Sequence, residues 1–229
     1  MIWRCWQILT PRFHFAGEFS EFEAYFRSQP HTERVYGKGD LLWKPGQPYD
    51  RVNYYVSGAS VCYALHETGR RRLFCFQGPG TMLPGFHTND FRIELSLVIE
   101  ALCEVRVLEF SVEEFRTMFA ARSDLAECVV NAYAKIVNRF LFESLHQEFN
   151  SSRVKLCNLL YLLTMHQPAN SGLIIEMTQE DIADILGMSR VQITRELSWL
   201  RGQGILATTR GRITISDLPA LAALCTDEA

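Results

Sequence analysis

Three patterns of hydrophobic and polar positions follow one another along the chain. Between about residues 33 and 110, short apolar runs such as Val52–Val56 and Leu73–Phe76 are separated by turn residues such as Pro45-Gly46 and Gly78-Pro79-Gly80. Short strands at regular spacing with turn residues between them are typical of antiparallel sandwiches and barrels. The first part of the chain is therefore predicted to form a β-roll or jelly roll.

A long helical pattern begins after Ser111. Ser111 and Glu114 have the spacing of a capping box, and the chain from Val112 to about Gln147 contains neither proline nor glycine. Apolar residues recur at helical spacing in two neighbouring stripes: Leu125, Val129, Ala132, Ile136 and Phe140 in one, and Val130, Tyr133, Val137 and Leu141 in the other. An apolar surface of this width needs burial on two sides. We expect one side to face the β-domain and the other a second copy of the chain; burial within one large monomeric core is the alternative.

The chain from Thr178 onward predicts two helices joined by a tight turn. Thr178 with Asp181, and Ser189 with Gln192, form two capping boxes, and Gly187 lies where a tight turn excludes a Cβ atom. The inner faces of the two helices are apolar: Ile182, Ile185 and Leu186 on the first, and Ile193, Leu197 and Leu200 on the second. This pattern predicts a helix-turn-helix. Two short strands around Arg210-Gly211-Arg212 then predict a wing.

The distribution of charge indicates a function only in this last region. The whole chain of 229 residues has a formal net charge of −3, but residues 187–212 contain five arginines and one acidic residue, a local net charge of +4. The outward positions of the second helix are Arg190, Val191, Gln192, Thr194 and Arg195. Arginine binds guanine or phosphate, and valine and threonine methyl groups pack on thymine. We therefore expect this surface to bind double-stranded DNA.

Other classes of protein find little support in the sequence. No apolar stretch is long enough for a transmembrane helix, the N-terminus lacks a secretory signal, and the seven scattered cysteines include no C-x-x-C. We expect a cytoplasmic protein whose thiols lie mostly in the core, with Cys5 the exposed one. Catalytic triads, metal motifs and phosphate-binding loops are absent, so we expect neither an enzyme nor a metal site.

The order of these elements resembles the CRP/FNR family of transcription regulators. The resemblance covers about residues 20–218 and is strongest at Thr178–Arg201, Gly78-Pro79-Gly80 and Cys103-Glu104-Val105. It implies an α+β architecture with a β-roll sensor domain in residues 1–110, a dimerisation helix region in residues 111–149 and a winged helix-turn-helix domain in residues 150–229. It also implies a homodimer, with RNA polymerase as a further partner.

The resemblance assigns roles to the residues of the predicted DNA interface. Thr178, Gln179 and Ser189 would hold phosphates. Arg190, Val191, Thr194 and Arg195 would face bases, and Arg210 and Arg212 belong to the wing. Many family members carry a glutamate, which reads cytosine, where this chain has Val191. Since valine accepts no hydrogen bond, we expect an A/T-rich palindrome of the TTAA…TTAA kind, with half-sites one helical turn apart.

The sensor region departs from the pattern of cyclic-nucleotide-binding members. The stretch Gly80–Leu95 lacks the glutamate that holds the ribose, and Ile93 stands where the phosphate-binding arginine is expected. Cysteines that would bind an iron–sulfur cluster are also missing. A haem-based gas or redox sensor using His87 remains an alternative, as does a constitutive regulator with a vestigial sensor.

A small aromatic or anionic organic effector is the remaining interpretation. Its predicted contacts are Phe76, Leu83, Phe86 and Arg92 in the sensor and Lys135 and Arg139 on the long helix. Either helix cation can pair with a phenolate or carboxylate and favour its charged form. The chain is also similar to the branch that responds to halogenated phenols, through Asn131-x-x-x-Lys135, Asn150-Ser151-Ser152 and Val191.

Overall fold

The computed structural model describes residues 14–47, 50–67, 71–83, 96–164 and 173–225. These residues belong to two compact units, which divide between Ile136 and Val137, inside one long helix. The first unit is the β-rich region and the second contains the predicted helix-turn-helix.

Strands of the first unit form two sheets. In chain order they are β1 (His14–Phe15), β2 (Thr32–Tyr36), β3 (Leu41–Trp43), β4 (Arg51–Ser57), β5 (Ser60–Leu65), β6 (Arg71–Gln77), β7 (Met82–Leu83), β8 (Leu97–Ala101) and β9 (Val105–Ser111). One sheet has the order β1-β6-β5-β8-β3 and the other β2-β9-β4-β7. β1 is parallel to β6, and the other pairs are antiparallel. The antiparallel β-architecture predicted for this region is confirmed.

Alternation along the strands produces two hydrophobic cores. Val52 and Tyr54 on β4 pack in a core with the short helix α1 (Glu23–Ser28) and with α2 (Val112–Ala121). Tyr55 points to the other side of the same strand, into the core between the two sheets. A tight approach accompanies the Gly-Pro-Gly turn, because Gly80 has a φ of +75° and its missing Cβ would lie 2.9 Å from the Cα of Gly17.

The predicted long helix is interrupted once. α2 ends at Ala121, Arg122 is extended, and α3 (Ser123–Phe149) begins one residue later. The guanidinium of Arg122 stacks on Phe22 and Tyr25, and Asp124 accepts its Nε hydrogen bond at 3.0 Å. Tertiary contacts therefore introduce a break that the local sequence lacks. Ser111 caps α2 with Glu114 as expected.

The second unit contains the predicted winged helix. Its elements are α4 (Ser152–Thr164), β10 (Ile174–Ile175), α5 (Gln179–Leu186), α6 (Arg190–Gly202), β11 (Leu206–Thr209), β12 (Arg212–Ile215) and α7 (Leu218–Ala222). The three strands form one sheet in the order β10-β12-β11. The predicted inner faces of α5 and α6 are buried, with Ile182, Ile193 and Leu200 wholly inaccessible.

The described residues contain no helix long and apolar enough to cross a membrane. They also contain no group of three or more His, Cys, Asp and Glu side chains that could hold a metal ion.

Candidate nucleic-acid interface

Two capping boxes set the directions of α5 and α6. The Thr178 hydroxyl accepts a hydrogen bond from the Asp181 amide at 3.1 Å, and the Ser189 hydroxyl accepts one from the Gln192 amide at 3.3 Å. Gly187, between the helices, has a φ of +62°, which explains why glycine is needed at the turn. The predicted caps and turn are confirmed.

Some of the side chains predicted to meet DNA also bond within the protein. Gln192 is folded back onto its cap, because its Oε1 accepts hydrogen bonds from the Ser189 amide and hydroxyl at 3.0 and 2.9 Å. The Thr194 hydroxyl donates to Gln179 Oε1 at 2.7 Å. This bond fixes the start of α5 against the first turns of α6, while the two residues stay at the surface.

Val191 and Arg190 form the exposed start of α6. Val191 has 78% of its surface exposed, the largest value among the exposed large apolar residues that the structure describes. Arg190 lies 3.9 Å from Glu180 of α5, and both side chains are largely exposed.

Arg195 is bound to a buried carboxylate. Its Nε and Nη2 donate to Oε1 of Glu196 at 3.2 and 3.1 Å. The other oxygen, Oε2, accepts a bond from Nε of Arg153 on α4 at 2.9 Å. Sequence reasoning assigned neither Glu196 nor Arg153 a role, because a contact across 43 residues leaves no local pattern.

The wing meets the helices at an open cleft of about 420 Å³. Thr178, Gln179, Arg190, Arg210 and Arg212 line it, so the structure brings together residues from three separate predicted elements. Arg212 at the start of β12 is paired at 2.7 Å with Glu176, which follows the neighbouring strand β10. The site therefore joins the start of both helices to the wing.

Acidic residues make this surface less basic than residues 187–212 alone indicate. Glu176, Glu180, Asp181 and Asp184 precede that range, so residues 176–212 contain five arginines and five acidic residues and have no net charge. Because Arg190, Arg195 and Arg212 each face a carboxylate, the cationic character of the interface is local.

The described members of the predicted effector set differ in exposure. Lys135 is exposed, whereas Arg139, one turn later on α3, is 1% exposed and its guanidinium stacks on Phe140 at 4.8 Å. Leu83 is half-buried at the end of β7, and Phe76 lies on the face of β6 opposite to the buried Cys75 and Gln77. Phe86, Arg92 and His87 lie outside the described residues.

The described cysteines are all free thiols, and only Cys103 is exposed. Burial raises the pKa of Cys157 to about 11 and that of Cys225 to about 12. The predicted exposed thiol, Cys5, lies outside the described residues, and the sequence analysis did not predict that Cys103 is exposed.

Known proteins share the described elements and their order. A family model for the Crp-like helix-turn-helix domain matches residues 154–224. The chain is 24% identical over 194 residues to the Global nitrogen regulator of Synechococcus elongatus, which covers 80% of this chain and 85% of the relative. It is 23% identical over 189 residues to the CRP-like cAMP-activated global transcriptional regulator of Mycobacterium tuberculosis, and this match covers 81% of this chain and 84% of the relative.

A solved structure supports the fold over most of the chain. FixK2 from Bradyrhizobium japonicum matches with a TM-score of 0.73 at 22% identity, and the match covers 87% of this chain and 100% of that chain. The curated relatives are transcription regulators. Residues 154–224 match the Crp-like helix-turn-helix domain, and over most of its length the chain is similar to DNA-binding transcription regulators of the CRP/FNR type.

Proposed function

We propose that the chain is a cytoplasmic, homodimeric, effector-responsive regulator that binds an A/T-rich palindrome. The observation that carries the proposal is Val191, an apolar residue with 78% of its surface exposed in the first turn of α6. The first residues of a recognition helix reach base edges in the major groove. A valine there packs on the thymine methyl group and gives no hydrogen bond to a G·C pair.

An exposed apolar stripe on α3 supports the dimer. Its members are exposed by 40–62% in the single chain: Val130, Tyr133, Val137, Phe140 and Leu141. Their spacing of three and four residues is that of a coiled-coil seam. A parallel stripe of Leu125, Cys128, Val129 and Ala132 is already buried or packed against the first unit's core. A second copy of α3 is therefore the occupant that we propose for the exposed stripe.

The proposed effector is a small organic anion rather than a cyclic nucleotide. One relative is named as cAMP-activated, but this chain lacks the nucleotide pattern in Gly80–Leu95. Of the two helix cations, burial favours Arg139 as the partner of an anion, because a buried charge is screened less than the exposed Lys135. The contacts that the sequence predicts in the sensor region are Phe76, Leu83, Phe86 and Arg92. RNA polymerase is the further partner in transcription.

Selection of binding sites from a random duplex pool tests the DNA half of the proposal. We expect an inverted repeat whose A/T-rich half-sites are centred about 10 base pairs apart. A selected site without two-fold symmetry, or with an obligatory G·C pair opposite Val191, would contradict it.

The effector half is tested by absorption spectroscopy and a thermal-shift screen of phenols and aromatic acids. We expect only the aromatic absorption band, and a ligand-dependent rise in melting temperature that Arg139→Gln reduces and Lys135→Gln does not. A Soret band in freshly purified protein would favour the haem-based alternative. High-affinity DNA binding that no ligand changes would favour a constitutive regulator.

A further inference from the structure

We propose that Glu196 is a positioning residue that orients Arg195 toward a base pair, and that Arg153 holds Glu196 in place. The proposal rests on the proposed function, because it takes α6 as the helix that reads DNA. All three side chains belong to the second unit: Arg195 and Glu196 lie on α6, and Arg153 lies in the first turn of α4.

The carboxylate of Glu196 lies where DNA does not reach it. Its side chain is 6% exposed, and its neighbours Ile193, Leu197 and Leu200 form the buried side of α6. A carboxylate also repels phosphate. Glu196 therefore makes no favourable contact with DNA itself, and it affects base recognition through the side chains that it binds.

Each oxygen of this carboxylate has its own guanidinium partner. Oε2 accepts from Arg153 Nε at 2.9 Å, and Oε1 accepts from Arg195 Nε and Nη2 at 3.2 and 3.1 Å. A buried charge that is paired at both oxygens is held in one orientation, because releasing either partner would leave it uncompensated. The two arginines are thereby coupled through one rigid group.

Arg153 is restrained by a second contact. Its Cζ lies 3.7 Å from the ring centroid of Trp199, one turn further along α6. A guanidinium stacked on an indole is fixed in plane as well as in position. Because Arg153 is anchored at both Trp199 and Glu196, it sets the position of the carboxylate from outside α6.

These contacts leave one edge of Arg195 available. A guanidinium has five N–H donors in a fixed fork, and Glu196 takes those of Nε and one of Nη2. The Arg195 side chain is 70% exposed, so its Nη1 edge is open. Two donors on that edge match the acceptors of a guanine, or one base edge together with a phosphate. An arginine that is already oriented loses less side-chain entropy when it binds.

The test compares the full-length chain with Arg195→Ala, Glu196→Gln and Arg153→Gln. Binding sites are first selected with the unmodified protein, and affinities are then measured for the selected duplex, its single-base-pair variants and a random duplex. We expect all three substitutions to lower discrimination at the same base pair, by about tenfold. We expect affinity of Glu196→Gln for the random duplex to be unchanged or higher, because a negative charge has been removed.

Two further measurements separate positioning from a general effect. In the Arg195→Ala background, Arg153→Gln should cause no further loss of discrimination, because the two act in series. Arg201→Gln is the matched control: this exposed arginine of α6 donates to Thr208 rather than to Glu196, and its removal should leave discrimination at that base pair unchanged.

Uniform weakening on every duplex by Glu196→Gln and Arg153→Gln would overturn the positioning role. The positioning role would also be overturned if Glu196→Gln and Arg153→Gln both kept full discrimination while Arg195→Ala lost it. Neither result would contradict the proposed function. If the unmodified protein selects no sequence, the proposed function fails and this inference fails with it. Circular dichroism melting checks each variant, and if Glu196→Gln does not fold, Arg153→Gln alone decides.

Discussion

The side chains at the start of α6 differ in whether they donate or accept hydrogen bonds. Val191 accepts none, and with 78% exposure it offers only methyl groups to a partner. Arg190 and Arg195 lie within four residues of it and are donors. We therefore expect the base preference of α6 to depend on this one apolar residue between two cations.

Val191→Glu should move the binding preference toward a G·C pair. A glutamate accepts a hydrogen bond from cytosine N4, so we expect about a tenfold change in relative affinity at that base pair. Site selection followed by competition binding measures it. Val35→Glu adds the same charge at an exposed valine of β2 and should leave the preference unchanged. An identical preference in Val191→Glu would refute the methyl contact.

Alkaline pH should destabilise the winged-helix unit through Cys157. Burial raises its pKa from an ordinary 9.0 to about 11, so the unfolded thiol loses its proton first as the pH rises. Its contribution to stability is complete below about pH 9 and disappears as the pH passes about 11. Between pH 8 and pH 10 we expect a loss of about 1 kcal/mol in the free energy of unfolding.

Denaturant titrations of the unmodified protein and of Cys157→Ala measure this loss. The variant should show a flatter dependence on pH over the same interval, whereas Cys103→Ala, at an exposed thiol, should behave like the unmodified protein. Equal pH dependence in all three proteins would mean that Cys157 ionises equally in the folded and unfolded chain.

Local residue patterns were readable from the sequence, and contacts between distant residues were not. Thr178 with Asp181 and Ser189 with Gln192 are adjacent enough in the chain to show as spacing, and both caps form. The pairing of Arg153 with Glu196 depends on how α4 packs beside α6. The same holds for Glu176, whose contact with Arg212 spans 36 residues.

In the second unit, an arginine of one strand pairs with a glutamate that follows the neighbouring strand. The Glu176 carboxylate accepts from Arg212 Nη2, but both side chains are more than half exposed. An exposed pair of this kind contributes little to stability because water and salt screen it. We expect its effect to fall on DNA binding, since a phosphate would compete with the carboxylate for the Arg212 guanidinium.

Glu176→Gln should therefore tighten non-specific DNA binding without a change in melting temperature. We expect the slope of log affinity against log salt to steepen by about 1, because the freed Arg212 neutralises one more phosphate. Fluorescence anisotropy with a random duplex at several salt concentrations measures the slope. Glu113→Gln, an exposed carboxylate on α2, is the matched control and should leave it unchanged. A slope unaffected by Glu176→Gln would show that the ion pair does not compete with phosphate.

Helix boundaries followed the sequence where caps or glycine marked them. The starts of α5 and α6 and the turn at Gly187 are of this kind. The break at Arg122 was invisible because no breaker precedes it and the rings of Phe22 and Tyr25 come from a distant segment. β10 was missed for another reason, since a strand of two residues has no period to detect.

At the scale of the whole molecule, the exposed stripe on α3 should determine the oligomeric state. Val137 is 53% exposed within it, and a charged residue there would be buried against the second copy without a partner. We expect Val137→Glu to be monomeric in sedimentation velocity and to lose affinity for the palindrome by at least about a hundredfold, because one half-site no longer supports the other.

Val35→Glu serves as the control, since Val35 is 54% exposed and lies on β2, away from the stripe. It should sediment as the unmodified protein does. A dimeric Val137→Glu variant would place the contact between copies elsewhere. Sequence reasoning identified this stripe from its period alone, but it could not identify the effector, because a ligand pocket leaves no periodic pattern and part of the predicted contact set lies outside the described residues.

Sheet order in the first unit has a consequence for how the chain folds. β2 pairs with β9, so Thr32 cannot form its strand pair until Glu109 has been synthesised. β3 pairs with β8, so Leu41 likewise cannot pair until Glu100 has been synthesised. Contacts this far apart in sequence close large loops and slow folding. On the ribosome, one sheet can be completed only after β8 has emerged and the other only after β9, and unpaired β3 and β2 need protection from aggregation until then. The winged helix follows the β-rich unit in the chain and is built from one contiguous segment.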